Sequence, residues 1–370
     1  MRESAEDRRQ RILEIIDHRD EVKVAHLAAL LGVSMVTVRR DLEALTRQGA
    51  VVRLHGKVTA PRRTSGEPAP GDGAAGTVSI ISPERHPYLN EVVQSARQSL
   101  QHAGYRVVLH LTPNERSPAA HQWRHLIDDE SDGLLLAPRW RSAEVMQAEA
   151  QALKDVALPT VLMERRPPRG PAWQHLDAVS SDHEHGVSLA VEHLVDLGHR
   201  RILLATRQDS PTARAVSTAF ASVAAAHPQV EHHMSVLSSP DAAGEDHGAV
   251  VGAVQVAYPD HDDPSWLPRL LKDQGFTAAL IHSDENALVL AHRLTAAGLS
   301  LPGDCAVVAY DDVVAGLGSV PLTAVAPPKA AVGRVAAQLL IERIRTQRKE
   351  QSWTPRRIEL LPTLEVRDST

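Results

Sequence analysis

At 370 residues the chain is too long for one compact core and fits two or three domains of about 100–200 residues each. Forty basic against 46 acidic residues give a net charge of −6, which excludes a general polycation, and 43% hydrophobic content excludes global disorder. A single cysteine, Cys305, excludes a disulfide framework and a cysteine-based zinc module. In chain order, residues 6–16 predict a short amphipathic helix and 24–31 a second, ended by Gly32. Ser34 can cap a third, because its hydroxyl accepts from free amides two or three residues on. On that helix Met35, Val38, Leu42 and Leu45 share one face, while Val36, Thr37 and Arg40 project the other way with Arg39 at the flank. Residues 51–54, the turn at His55–Gly56 and residues 57–59 predict a β-wing carrying Arg53 and Lys57.

Residues 60–76 hold three prolines, four glycines and no large apolar side chain, the composition of a linker. Beyond it, short apolar runs at 78–81, 106–110, 133–137, 159–163, 201–205, 234–237, 277–282 and 305–310 alternate with helical patterns. Those patterns fall at 89–102, 142–155, 183–197, 213–226, 245–256 and 284–297. Continuous apolar strands between helices predict parallel sheets covered on both faces. About 290 residues suit two doubly wound lobes, with ligands in the crevice at the strands' carboxyl ends. The expected organisation is a head at 1–60, a linker at 61–76 and a two-lobed body at 77–370.

Charge is uneven along the chain. Residues 31–63 carry seven Arg or Lys against two acids, a local +5 that leaves −11 for the rest. A small basic module on an acidic body predicts a polyanion contact confined to the head. A helix after a tight turn that shows Thr37 beside Arg39 and Arg40 suits a DNA major groove, where Arg pairs with guanine or phosphate.

The run Ser34-Met-Val-Thr37-Val-Arg39-Arg40-Asp41-Leu42, followed by His55-Gly56, resembles the DeoR-type winged helix-turn-helix, with Lys57 in place of a second glycine. The resemblance implies that Ser34, Met35, Val36, Thr37, Arg39, Arg40, Arg53, His55 and Lys57 face operator DNA. The body carries Asp182, Gly198-His199-Arg200-Arg201-Ile202, Tyr310-Asp311-Asp312, Pro321-Leu322-Thr323 and the closing Pro362 to Ser369 in that order. With these motifs it is similar to the effector-binding part of LacI/GalR-family repressors, which share the periplasmic-binding-protein fold.

This second resemblance implies an interlobe sugar site. Glu164 and Asp311 match its carboxylates, and Asp284 matches the acid of an Asn-Asp pair whose first member is here Ser283. Val216 stands where the family places a sugar-contacting Arg, with Arg214 two residues earlier. Each lost charge-assisted bond removes about 1.5–3 kcal/mol. Tyr88 and Trp140 are candidates to stack on a sugar face, and the arginines on either side of Trp140 also suit an anionic sugar.

Twenty histidines include no zinc-site spacing: after His183-Glu184 a zincin would need a second His where Val187 stands. Walker, dinucleotide-binding and nucleophile-elbow motifs are not found, so no catalytic residue, metal or cofactor is expected. No apolar run reaches the ~20 residues of a membrane span, and the first residues lack a signal's apolar core, so a cytoplasmic location is expected. The expected function is a homodimeric DNA-binding regulator, a repressor answering to a sugar-like effector. The alternative is a cytosolic binding protein whose head contacts other proteins.

Overall fold

A computed structural model describes residues 8, 22–23, 27, 30–31, 33, 35, 37–38, 42, 52–54, 57–59, 75–84, 86–112, 122–127, 130–238, 256–257 and 263–370. The chain divides into two compact units, Met1–Asp72 and Gly73–Thr370.

In the first unit β1 (Val22–Lys23), β2 (Val52–Leu54) and β3 (Lys57–Thr59) form an antiparallel sheet in the order β1-β3-β2. β2 and β3 are the expected wing, closed by the Leu54–Lys57 pair. β1 was not legible, since two residues give no period. Leu27, Leu31, Val38 and Leu42 are buried, but Met35 is 42% exposed. Of the face predicted to hold Met35, Val38, Leu42 and Leu45, Val38 and Leu42 are buried while Met35 stands clear of the core.

In the second unit β4 (Gly76–Pro83), β5 (Tyr105–Thr112), β6 (Gly133–Leu136), β7 (Thr160–Met163), β8 (Asp177–Ser181) and β15 (Arg357–Leu360) make an N-lobe sheet. Its order is β15-β8-β7-β6-β4-β5, parallel throughout. β9 (Arg201–Thr206), β10 (His232–Leu237), β11 (Val256–Ala257), β12 (Ala278–Ile281), β13 (Ala306–Tyr310), β14 (Thr323–Ala326) and β16 (Thr363–Glu365) make the C-lobe sheet. Its order is β11-β10-β9-β12-β13-β14-β16, with only β16 antiparallel to its neighbour. Strands such as Gly-Leu-Leu-Leu in β6 and Ala-Ala-Leu-Ile in β12 are buried at every residue, because helices cover both faces.

The helices are α1 (Pro87–His102), α2 (Ala143–Lys154), α3 (His183–Asp196), α4 (Pro211–Ala226), α5 (Trp266–Gln274), α6 (Asp284–Ala296) and α7 (Lys329–Arg348). Side-chain caps fix the starts of α2, α3 and α4. Asp182 accepts from the amides of Glu184 and His185, and Ser210 accepts from that of Ala213. The helix expected at 245–256 falls at 245–255 outside the described residues, and Val256 begins β11. The chain passes between lobes after Ser181, at 327–328 and at 361–362, which leaves both sets of strand carboxyl ends facing one cleft. Among the described residues no helix is long and apolar enough to cross a membrane.

α7 returns the chain to the N-lobe and packs on α1. Gly333 makes this approach possible, because a Cβ there would overlap the Val92 carbonyl oxygen and come within 2.8 Å of the Ala96 amide nitrogen. Both neighbours are backbone and cannot turn aside. Gly333→Ala should cost about 1–3 kcal/mol by overpacking, read as a lowered Tm. An unchanged Tm would show that the helices separate freely.

Candidate functional site

The interlobe cleft encloses about 370 Å³ and takes its walls from residues just beyond the strands' carboxyl ends. From the N-lobe come Glu84 and His86 after β4, Tyr88 on α1, Arg139 and Arg141 after β6, and Arg165 after β7. From the C-lobe come Arg207, Asp209 and Ser210 after β9, His282 to Glu285 after β12, and Asp311 and Val313 after β13. At these strand ends non-glycine residues hold positive φ: Trp140 at 35°, Glu164 at 51°, Asp311 at 104° and Asp312 at 49°. Such conformations cost of order 1–3 kcal/mol each and collect where a structure holds side chains for a purpose.

The sequence-predicted residues take different places. Tyr88, Ser283, Asp284 and Asp311 line the cleft. Glu164 lies behind it, 3% exposed, where Tyr88 Oη donates to its Oε1 at 2.8 Å. Ser181 Oγ also donates to that oxygen at 2.8 Å, and the Ser181 amide reaches Oε2 at 3.3 Å. Burial raises the Glu164 carboxyl above its ordinary range while these donors oppose the rise. Glu164 thus holds the Tyr88 hydroxyl from behind the cleft wall.

Trp140 is corrected too. It is 1% exposed, packs edge-on against Trp173 at 5.4 Å and donates its indole N–H to Glu149 at 2.9 Å. A large ring gains more from this buried acceptor and apolar cluster than from the cleft wall. Its neighbours Arg139 and Arg141 face the cleft in its place. Val216 is fully buried in the C-lobe core. Arg214 spans the lobes, donating to the carbonyl oxygens of Arg141 at 2.6 Å and Trp140 at 2.5 Å.

Asp284 is committed to structure, for its Oδ2 accepts from the amides of Val313, Val314 and Ala315 at 2.6, 2.6 and 3.2 Å. Ser283 Oγ donates to Glu285 at 2.7 Å. Asp311 is held well above the ordinary carboxylate range, first by burial and then by the charges of Asp284 and Glu285. Lys329 Nζ donates to its carbonyl oxygen at 2.7 Å from the first residue of α7.

Sequence reasoning missed Arg165, Arg207, His86, His282 and Lys329. The usable signal was position, since the first four stand within three residues of a strand's end. Among the described residues no group of three or more His, Cys, Asp or Glu could hold a metal ion.

His282 is pushed down to about 3, first by burial, then by the Arg207 guanidinium and the neighbouring His183 and His86 rings. It stays neutral in the fold, whereas an unfolded histidine protonates near 6.5. The unfolded chain therefore binds the extra proton between those values, and stability falls as pH drops through that window by about 1.4 kcal/mol per unit. Asp311, shifted upward, acts in the opposite sense, so the comparison must be between variants. His282→Asn should flatten the fall of Tm between pH 6.5 and 4; an unaltered slope would contradict the neutral buried ring.

In the head Ser34, Val36, Arg39, Arg40 and His55 lie outside the described residues. Arg53 and Lys57 fall on the two wing strands, Thr37 is half-buried and Met35 is exposed.

A two-lobed α/β body with a hydrogen-bonding cleft, carried behind a small winged head, defines the class of ligand-responsive transcriptional regulators. The comparisons agree. Residues 8–64 match the DeoR-like helix-turn-helix domain, and residues 191–370 match the periplasmic binding protein-like domain. The arabinose metabolism transcriptional repressor of Geobacillus stearothermophilus is 27% identical over 353 residues, 93% of this chain and 89% of that protein. The HTH-type transcriptional repressor PurR of Aliivibrio salmonicida is 25% identical over 295 residues, 78% of this chain and 80% of the relative. A solved complex of the transcriptional regulator CelR with cellobiose superposes with a TM-score of 0.60 at 24% identity, covering 93% of this chain and 98% of that one. The chain joins a DeoR-type DNA-binding head to a LacI/GalR-like body, and it is a DNA-binding transcriptional regulator.

Proposed function

We propose that this regulator is a cytoplasmic homodimeric repressor that leaves its operator when a small hydroxylated, sugar-like effector closes the cleft. The observation that carries the reading is the cleft itself, where the carboxyl ends of both parallel sheets present charged and hydrogen-bonding side chains to one ligand-sized volume. The relatives' names, an arabinose repressor and a cellobiose complex, support a carbohydrate ligand. Residues 61–75 serve as the linker between a head at 1–60 and a body whose first strand begins at Gly76, one residue before the expected 77. Thr37, Arg39 and Arg40 read the major groove, with Ser34, Met35 and Val36 beside them, and Arg53, His55 and Lys57 steady the wing on phosphate. A dimer matches a pseudo-palindromic site.

Fluorescence anisotropy with duplex DNA from upstream of the protein's own gene tests this. Log affinity should fall steeply and linearly with log salt. Arg40→Ala should weaken binding about tenfold or more. A flat salt response, or wild-type affinity in an Arg40→Ala/Thr37→Ala protein, would reject this placement.

A further inference from the structure

The two walls of the cleft differ in charge. The C-lobe wall presents Asp284, Glu285 and Asp311, together with an Arg207–Asp209 pair closed by hydrogen bonds of 2.9 and 2.7 Å. The N-lobe wall presents Arg139, Arg141 and Arg165 against one carboxylate at the surface of the cleft, Glu84. Glu164 lies behind that wall with its oxygens engaged by Tyr88 and Ser181.

Arg165 is only 4% exposed, and its hydrogen bonds run to the carbonyl oxygens of Pro138 and Glu164. Carbonyls satisfy a guanidinium's donors without cancelling its charge. Burial together with the nearby charges of Arg214 and Arg139 draws Arg165 down to about 10, against the pull of Glu164 and Glu149. Burial and Arg141 likewise lower Arg139, against the pull of Asp209 and Glu84. These guanidiniums disfavour one another, so an anion placed among them would be favoured by all.

Two helix starts add to the field. His86 and Pro87 open α1, and Ser210, Pro211 and Thr212 open α4, all on the cleft. Neither helix has an acidic residue in its first turn, although Asp209 stands just before the Ser210 cap of α4. His86 lies among Arg165, Arg139 and Arg207, which with burial push it down to about 4, and its buried Nδ1 has no hydrogen-bond partner. A neutral ring in that place can donate to an oxyanion.

We propose that the effector is a polyhydroxylated molecule bearing one anionic group, a phosphate monoester or a carboxylate, seated against Arg139, Arg141 and Arg165, with its hydroxyls toward Asp311 and His282. The proposal rests on the cleft being the effector site and adds the charge of the ligand. Bidentate guanidinium contacts suit both anions, and each charge-assisted bond contributes more than a neutral one.

Calorimetry on the full-length protein with matched sets decides it: one pentose and one hexose, each as the free sugar, the phosphate monoester and the corresponding sugar acid. At least one anionic member should bind ten times tighter or more than its neutral parent, and whether phosphate or carboxylate wins identifies the source of the charge. In Arg139→Gln and Arg141→Gln, checked for native circular dichroism, that ratio should collapse below about threefold. Inorganic phosphate, compared with chloride at equal ionic strength, should raise the Tm of the wild type and not of Arg139→Gln/Arg141→Gln. A neutral sugar that binds as tightly as its anionic forms would overturn the charge assignment while leaving the cleft as the site. Absence of binding by every member would overturn both.

Discussion

Asp177→Ala is expected to cost about 3–5 kcal/mol and to lower the Tm of the body more than any other single change considered for this chain. Asp177 is fully buried at the start of β8. Its Oδ2 accepts from Arg343 Nη1 at 2.8 Å and from the Trp353 indole at 2.9 Å, and its Oδ1 accepts from the Arg356 amide at 2.5 Å. One carboxylate thereby clasps α7 and the segment leading into β15, the path by which the chain re-enters the N-lobe. Truncation leaves a half-buried guanidinium, an indole N–H and a backbone amide without their acceptor, and water reaches them poorly. Asp177→Asn keeps an acceptor but loses the charge, so its loss should be smaller. Equal Tm values for Asp177→Ala and wild type in thermal denaturation would show that the clasp contributes nothing to the sheet edge.

The second large effect concerns the ligand. Asp311→Ala should weaken the best ligand of the sugar, sugar-phosphate and sugar-acid sets by about 10–100-fold, the worth of one or two hydrogen bonds to a carboxyl group. The residue lines the cleft and is held in a left-handed backbone conformation, with Lys329 fixing its carbonyl. Asp311→Asn, which can still accept and donate, should lose less. Glu164→Ala should act through Tyr88, whose hydroxyl loses its 2.8 Å acceptor, and so weaken binding less than Asp311→Ala. Affinity in Asp311→Ala equal to wild type would move the hydroxyl-binding end of the site elsewhere.

Much of this architecture is legible in the sequence, for reasons that particular segments make plain. β6, β12 and β13 are unbroken apolar runs, and β7 is one after Thr160, because both faces of each sheet are covered, and α6 follows β12 with its amphipathic pattern intact. β8 escapes notice because Asp-Ala-Val-Ser-Ser is mostly polar. Its polar groups are satisfied inside the fold, Asp177 by Arg343 and Ser181 by Glu164. α7, the longest described helix, was missed because Ala330, Ala331, Gly333, Ala336 and Ala337 blur its apolar stripe. Those small residues are what allow close packing on α1. β16 is a strand only because β14 offers it an edge.

The site was legible in part. Asp311, Asp284, Ser283 and Tyr88, all singled out in the sequence, line the cleft. Trp140 was misjudged because burial of an indole with an internal acceptor cannot be read from its flanking arginines. Arg165 stands beside Glu164 and Arg207 just past the apolar run at 201–205, and nothing in their composition separates a guanidinium facing a cleft from one facing solvent. That distinction needs the sheet order, which decides which strand ends meet.

In the proposed mechanism the cleft ligand and the operator compete through the conformation of one molecule. Linkage requires any such coupling to be reciprocal, so the ligand's affinity must change when DNA is bound by the same factor as DNA affinity changes when the ligand is bound. The direct measurement is calorimetric titration of the tightest-binding ligand into the full-length protein, free and saturated with operator duplex. A repressor released by its effector should bind the ligand at least five to ten times more weakly in the DNA complex, about 1–1.4 kcal/mol of coupling. Identical affinities in the two titrations would contradict the account.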